Sequence, residues 1–339
     1  MGSLSHIRRV DIELQSFCNR TCDWCPNKDY LRNKSVALDD VYYTKILNEL
    51  NQFGFAPDRK FPTVATNLDM VSFNGDFVRG QPTVSFMGFQ EPMADIKLLK
   101  RRVIEAKETL PSYVVLSTNT NGDYFTKKNL DGLFLTTLNV MDYDCKGKDY
   151  WIKTLEENDC MVIDDPGKQY QGLLAVHKSI NLIKVVYDWP KQALLENRAG
   201  VLSKDEQHLK MIRWKNDSNK RVVPCPEPSY YINITFDGSV MPCCHIRSDI
   251  PIHKDYILGN VKENTLEEIL NSPKAIEFRQ RLTVENGDYP DPCKYCQKIR
   301  SNICTGAPNG FNYIGKKYME NKVNENVRFI NDFNPNQQS

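Results

Sequence analysis

Three cysteines crowded into one short stretch, Cys18-Asn-Arg-Thr-Cys22-Asp-Trp-Cys25, constrain this chain more than any other feature. They follow residues 7–14, where Ile7, Val10, Ile12 and Leu14 suit a strand. Three thiolates on one loop can close around one face of an iron–sulfur cube, because cluster irons are soft and prefer thiolate. Three protein ligands leave one iron open. A zinc site is the alternative, although structural zinc commonly takes four ligands, often from Cys-x2-Cys pairs. Three unrelated buried cysteines are a further alternative.

The chain has 339 residues and 11 Cys, and an odd count argues against a closed disulfide framework. Clustered cysteines in an intracellular chain point to metal or redox chemistry. A formal charge of +1 provides no basic footprint, so general nucleic-acid binding is not expected. No run approaches the roughly 18 apolar residues of a membrane helix, and the start lacks an apolar signal core. No membrane association and a cytoplasmic location are therefore expected.

Strand and helix signals alternate about six times over the first 190 residues. The strands are expected at 7–14, 82–87, 113–117, 133–140, 160–163 and 180–187. Asp39 is placed to cap a helix with Val41, Ile46, Leu47 and Leu50 on one face. A second helix, 96–110, has Leu98, Leu99, Val103 and Ile104 at helical spacing. Residues 54–81, rich in Gly, Pro and Asn with short apolar pieces, resemble an insertion or a small hairpin. This is an α/β pattern, and six units fall short of an eight-unit barrel, so a partial (β/α)6 TIM-like barrel is expected over 1–200.

A different module follows over 201–310. Asp237-Gly238 between apolar runs signals a hairpin, and short helices are expected at 265–270 and 273–282. Cys225, twelve residues, Gly238, four residues and Cys243 precede the pair Cys293-Lys-Tyr-Cys296. Four thiolates in this pattern suit either a fully ligated [4Fe–4S] cluster or a structural zinc, and spacing alone does not choose. Residues 311–339 read as a C-terminal extension with a polar, disordered end.

The first cysteine motif, with Trp24 before its third cysteine, resembles that of the radical S-adenosylmethionine superfamily. The resemblance implies that Cys18, Cys22 and Cys25 hold a [4Fe–4S] cluster whose open iron binds the amino and carboxylate groups of S-adenosylmethionine. Reductive cleavage then yields a 5′-deoxyadenosyl radical that abstracts a substrate hydrogen atom. It also implies that Trp24 lies near the adenine.

Gly88-Phe89-Gln90-Glu91-Pro92 resembles the family's Gly-Gly-Glu-Pro motif, which meets the cofactor's amino group, with Phe89-Gln90 as a departure. Glu91 also suits a helix N-terminus. Ser117 and Asn119 fall where the family places polar residues near the ribose, with Asn139 and Asp142 as further candidates. Asn197-Arg198-Ala199-Gly200 resembles a segment whose arginine faces the cofactor carboxylate or the substrate.

The later cysteines, Cys225, Cys243, Cys293 and Cys296, resemble the SPASM auxiliary-cluster domain in its shorter twitch form. The implied fold is thus a partial barrel followed by a small α+β SPASM/twitch domain. The implied cofactors are S-adenosylmethionine and two [4Fe–4S] clusters, one of them auxiliary and an electron acceptor.

Cys304 is a candidate hydrogen donor, Cys244 could replace its neighbour as ligand, and His245 could support the auxiliary cluster. Cys145 and Cys160 read as core. The expected activity is that of a radical oxidoreductase or peptide-modifying enzyme. Its substrate is a ribosomally made peptide or a sugar- or aminocyclitol-like small molecule, and its reductant a flavodoxin or ferredoxin. The early first strand leaves little room for a leader-binding domain, which counts modestly against a leader-dependent modifier, although a separate binding protein could supply that function. A non-enzymatic, zinc-binding, Cys-rich interaction protein is the alternative of a different class.

Overall fold

Arg9 and Asp11 alternate with Val10 and Ile12 in β1 (Arg9–Ile12), and that period of two sends charge to one face of a sheet and apolar groups to the other. The computed structural model describes residues 4, 7, 9–32, 34–55, 82–164, 172–192, 198–202, 225, 227–283, 287–294 and 296. The expected insertion at 54–81, beyond its first two residues, lies outside them, as do Cys304 and the expected extension.

The remaining strands are β2 (Thr83–Ser85), β3 (Val115–Thr120), β4 (Leu135–Met141), β5 (Met161–Asp164), β6 (Gly172–His177), β7 (Ile180–Val186), β8 (Tyr231–Ile234), β9 (Ser239–Met241) and β10 (Gly259–Asn260). They form one ten-stranded sheet in the order β10-β9-β8-β1-β2-β3-β4-β7-β6-β5. Its centre, β8-β1-β2-β3-β4-β7, is parallel throughout. Both edges are antiparallel.

Helices follow the parallel strands as expected for a partial barrel: α1 (Asp40–Gln52), α2 (Ile96–Thr109), α3 (Lys127–Leu130) and α4 (Lys148–Glu157). Asp39 caps α1, its side chain accepting from the Val41 amide at 2.9 Å. Tyr43, Ile46, Leu47 and Leu50 form the buried face; Val41, expected on it, is 70% exposed. In α2 the buried face is Leu98, Leu99 and Val103, with Ile104 turned outward at 39% exposure. These faces cover Val10, Ile12, Val84, Phe86, Leu116, Leu138 and Val140, the apolar side of the sheet.

The fifth expected parallel unit is different in the structure. β5, β6 and β7 form an antiparallel meander, with β6 and β7 joined by the tight turn Lys178-Ser179. Gly-Leu-Leu-Ala-Val-His does not alternate, and the turn Lys178-Ser179 lacks the Gly or Asn that usually marks a two-residue hairpin, so β6 is hidden in the sequence. The sixth parallel strand is β8, which belongs to the C-terminal module and pairs with β1. Barrel and module therefore share one sheet.

Beyond β7 come α5 (Trp189–Gln192), α6 (Glu227–Tyr230), α7 (Leu266–Leu270), α8 (Pro273–Thr283) and α9 (Asp291–Lys294). The Asp237-Gly238 hairpin forms as expected. Asp237 accepts from the Thr235 hydroxyl at 2.6 Å and the Ser239 amide at 3.0 Å, and Gly238 takes φ 85°. Thr265 and Glu268 close a capping box at α7. Among the described residues, no helix is long and apolar enough to cross a membrane.

Candidate active site

β1 leads straight into the loop that carries Cys18, Cys22 and Cys25. The Cys25 amide donates to the Cys22 carbonyl at 2.9 Å and the Lys28 amide to the Cys25 carbonyl at 3.0 Å. A single 3-10 turn, Pro26–Lys28, follows. Pro26 suits its first position, where an N–H would lack a partner anyway. Arg20, between the first two cysteines, crosses to the loops after β3 and β4 and donates to Asp123 at 2.7 Å and Asp144 at 2.8 Å. Asn19 donates to Asp123 as well, at 2.7 Å.

Burial pushes the Cys18 thiol up to about 11 and the Cys22 thiol up to about 12, and neighbouring thiols add to both. Burial also raises Cys25, against the Asn27 amide and the charges of Arg198, Arg247 and Arg32. Three desolvated thiols that oppose one another's ionisation are a donor set that calls for added positive charge. An iron–sulfur core provides it, so the set fits the cluster implied by the motif. Among the described residues, no three His, Cys, Asp or Glu side chains converge as a single-ion site would require; a cube instead offers each thiolate its own iron.

The segment 88–92 is stitched to this loop. A Cβ on Gly88 would stand 2.7 Å from Glu13 Oε1, so the buried Glu13 side chain packed against this backbone leaves room only for glycine. Gln90 Oε1 accepts from the Gln15 amide at 2.9 Å, while its Nε2 is buried without a partner. Glu91 accepts from the Met93 amide at 3.0 Å, the Thr120 hydroxyl at 2.7 Å and the Asn121 amide at 2.8 Å. Burial pushes its carboxyl up to about 7 while those donors pull it down. Glu91 thus caps the following turn and ties the end of β2 to the end of β3.

Trp24 packs against Tyr143 and Trp189, each at 5.5 Å between ring centroids, and those two meet edge-on at 5.0 Å. Arg198, at φ 48°, lies within electrostatic reach of Cys25 and Tyr143, and its Nε is buried with no hydrogen-bond partner. Asp142 is engaged in the fold itself, accepting the amides of Lys146, Gly147 and Asp188 at 3.0, 3.0 and 3.1 Å.

The charged side of the sheet is buried too. Asn139 donates to Asn119 at 2.9 Å, in register on β4 and β3. Asp11 accepts from Arg9 Nε at 2.6 Å and from the Tyr231 hydroxyl at 2.6 Å. Ser85, Ser117 and Lys184 are buried on the same side. Sequence reasoning missed Arg9, Asp11, Glu13, Lys184, Trp189 and Tyr231. The available signal was charge at alternate positions of an otherwise apolar first strand.

The later cysteines sit at element ends. Cys225 precedes α6 and its amide donates to the Leu282 carbonyl at 2.8 Å. Cys243 follows β9, and Cys293 lies in α9 with the Cys296 amide donating back to its carbonyl at 3.2 Å. Cys244 lies within electrostatic reach of Arg9 and Tyr231, on the sheet's charged side. His245 is buried near His253. Cys160 is core, as expected, whereas Cys145 is half-buried in the loop after β4.

A family model for SPASM, an iron–sulfur cluster-binding domain, matches residues 225–297. Over 299 residues the chain is 23% identical to the S-adenosyl-L-methionine-dependent 2-deoxy-scyllo-inosamine dehydrogenase of Niallia circulans, covering 86% of this chain and 92% of that protein. The second cysteine set thus lies in a stretch similar to an iron–sulfur cluster-binding domain, and the chain as a whole is similar to an S-adenosyl-L-methionine-dependent dehydrogenase. Its fold matches the crystal structure of BtrN in complex with AdoMet and 2-DOIA, with a TM-score of 0.58 and 20% identity over 86% of this chain and 94% of that one. It also matches BtrN in an open conformation, with a TM-score of 0.50 and 20% identity over 86% and 93%. The SPASM match opens on Cys225 and closes just past Cys296, bracketing the second cysteine set.

Proposed function

We propose that this chain is a radical S-adenosylmethionine dehydrogenase that oxidises an alcohol on a small, polyhydroxylated or aminated ring. The observation that carries the reading is the polar side of the parallel sheet, where Arg9, Asp11, Tyr231, Asn139 and Lys184 are buried and Asn119 is half-buried. Hydroxyl and amino substituents can exchange hydrogen bonds with such groups, whereas an apolar side chain would leave them desolvated without compensation. The activity of the Niallia circulans relative, on an inosamine, is of this chemical class.

Cys18, Cys22 and Cys25 hold the first [4Fe–4S] cluster, and Cys225, Cys243, Cys293 and Cys296 hold the auxiliary one. When bound, these groups and S-adenosylmethionine supply the hydrogen-abstracting radical and the electron sink that alcohol oxidation needs. The protein's own groups bind and orient. Arg198 and Gln90, each with a buried unpartnered N–H donor, suit the cofactor's carboxylate. Trp24, braced by Tyr143 and Trp189, offers a flat apolar surface to the adenine. Glu91 and Gly88 fix the strand ends beside the cofactor's amino group. Ser117 and the Asn119–Asn139 pair face ribose and ring hydroxyls. The reductant is a flavodoxin or ferredoxin, and the compartment is the cytoplasm, where so many thiols stay reduced.

The test is anaerobic reconstitution with reductant and S-adenosylmethionine, with 5′-deoxyadenosine quantified against a panel of aminocyclitols, sugars and peptides. Stimulation by a ring alcohol, with deuterium moving from its carbinol carbon into 5′-deoxyadenosine, is the expected result. Stimulation by peptides alone, or a reconstituted protein that never cleaves the cofactor, overturns the reading.

A further inference from the structure

Arg247 is fully buried, although it lies in the loop just beyond Cys243 and Cys244. Its guanidinium reaches out of the C-terminal module into the first cysteine loop. It donates to Asn27 Oδ1 at 2.7 Å and to the Tyr30 carbonyl at 3.0 Å, and it stacks on Phe89 at 5.1 Å from the ring centroid. Asn27 in turn donates to the Phe89 carbonyl at 2.8 Å. One side chain therefore touches both the turn after Cys25 and the segment after β2.

The guanidinium is itself held in place. Asp249 accepts from Arg247 Nε at 2.9 Å and from Arg32 Nε at 2.8 Å, and Arg32 also donates to Glu13 Oε1 at 2.7 Å. The Arg247 amide donates to His253 Nδ1 at 3.1 Å. That leaves the proton on Nε2, which faces the Ala199 carbonyl at 2.9 Å, next to Arg198. The loop after Cys243, the loop of Cys18, Cys22 and Cys25, the Gly88–Pro92 segment and the Arg198 turn thus meet in one buried network.

We propose that Arg247 is a positioning residue through which the C-terminal module sets the shape and the electrostatic environment of the Cys18–Cys25 loop, so that the radical site is complete only when that module is folded against it. The spectroscopic part of this inference rests on the proposed cluster at Cys18, Cys22 and Cys25; the loop-ordering part does not. Removing the fork leaves Asn27 and the Tyr30 carbonyl without their buried charged donor, a loss that should loosen the turn at 25–30 about tenfold or more. Lysine keeps the charge but not the planar fork, so it should restore the charge effect and not the loop order.

The first experiment is hydrogen exchange on the apo full-length protein, comparing wild type with Arg247→Ala, Arg247→Lys and the milder Asn27→Ala. The second is the EPR spectrum and midpoint potential of the first cluster, with and without S-adenosylmethionine, in the same reconstituted proteins. The expected result is about tenfold faster exchange at 25–30 in all three variants, with β3 and β4 unchanged. A lower midpoint potential is expected in Arg247→Ala that Arg247→Lys largely restores. Unchanged exchange at 25–30 in Asn27→Ala and Arg247→Lys overturns the inference, even if Arg247→Ala fails to fold. If wild type holds no cluster while the exchange result stands, the functional reading fails and the loop-ordering role survives.

Discussion

Replacing Gly88 by alanine tests the close packing under the candidate site. The new Cβ would stand 2.7 Å from Glu13 Oε1 and 3.0 Å from both Cδ and Cγ. Turning the carboxylate cannot relieve a clash that includes Cγ, so the whole Glu13 side chain must shift. Glu13 is buried, and its Oε1 holds Arg32 at 2.7 Å and the Phe89 amide at 2.7 Å. Buried hydrogen bonds to a charged group contribute about 1.5–3 kcal/mol each. Losing one and stretching the other places the cost of Gly88→Ala at about 2–4 kcal/mol. Urea unfolding of the apo protein measures it, as a lower midpoint with an unchanged slope. In a Glu13→Ala background the obstacle is gone, and the same substitution should cost less than about 1 kcal/mol, giving a coupling of about 2 kcal/mol. Equal costs in both backgrounds would refute Glu13 as the reason for glycine here.

Cys22→Ala should halve the iron content of reconstituted protein and abolish 5′-deoxyadenosine formation, by iron analysis and chromatography; full iron with retained cleavage would reassign the first cluster. Arg198→Gln should weaken S-adenosylmethionine binding about tenfold in equilibrium dialysis, as expected for one lost charged contact. Its urea midpoint should hardly move, since Arg198 Nε has no partner to lose. Burial holds His253 and His177 below the ordinary histidine value. The unfolded chain therefore binds more protons in that window, so stability is full above about pH 6.5 and falls as pH drops through it. Unfolding midpoints from pH 5 to 8 should show this slope, and His253→Gln should flatten it; an identical slope would remove His253 from the account.

What could be read from the sequence was local. The Cys18–Cys25 spacing, the Asp39 cap, the Asp237-Gly238 turn and the short helices after it each depend on residues a few positions apart. Their geometry follows from backbone chemistry that neighbours dictate. The alternation of strand and helix also announced the α/β fold with its parallel sheet. Two cysteine motifs carried a family resemblance, and the SPASM match over 225–297 agrees with the second of them.

Tertiary structure decided everything that depends on distant partners. It assigned β8, from the C-terminal module, as a neighbour of β1, and it turned the expected fifth unit into an antiparallel edge. It also made the charges of β1 an inner polar face closed by Tyr231, 220 residues away. Arg247 and Asn27, likewise 220 residues apart, meet only because that strand pairing brings the two loops together. Strand pairing is chosen by complementarity across the whole sheet, and no local window contains both sides of such a contact.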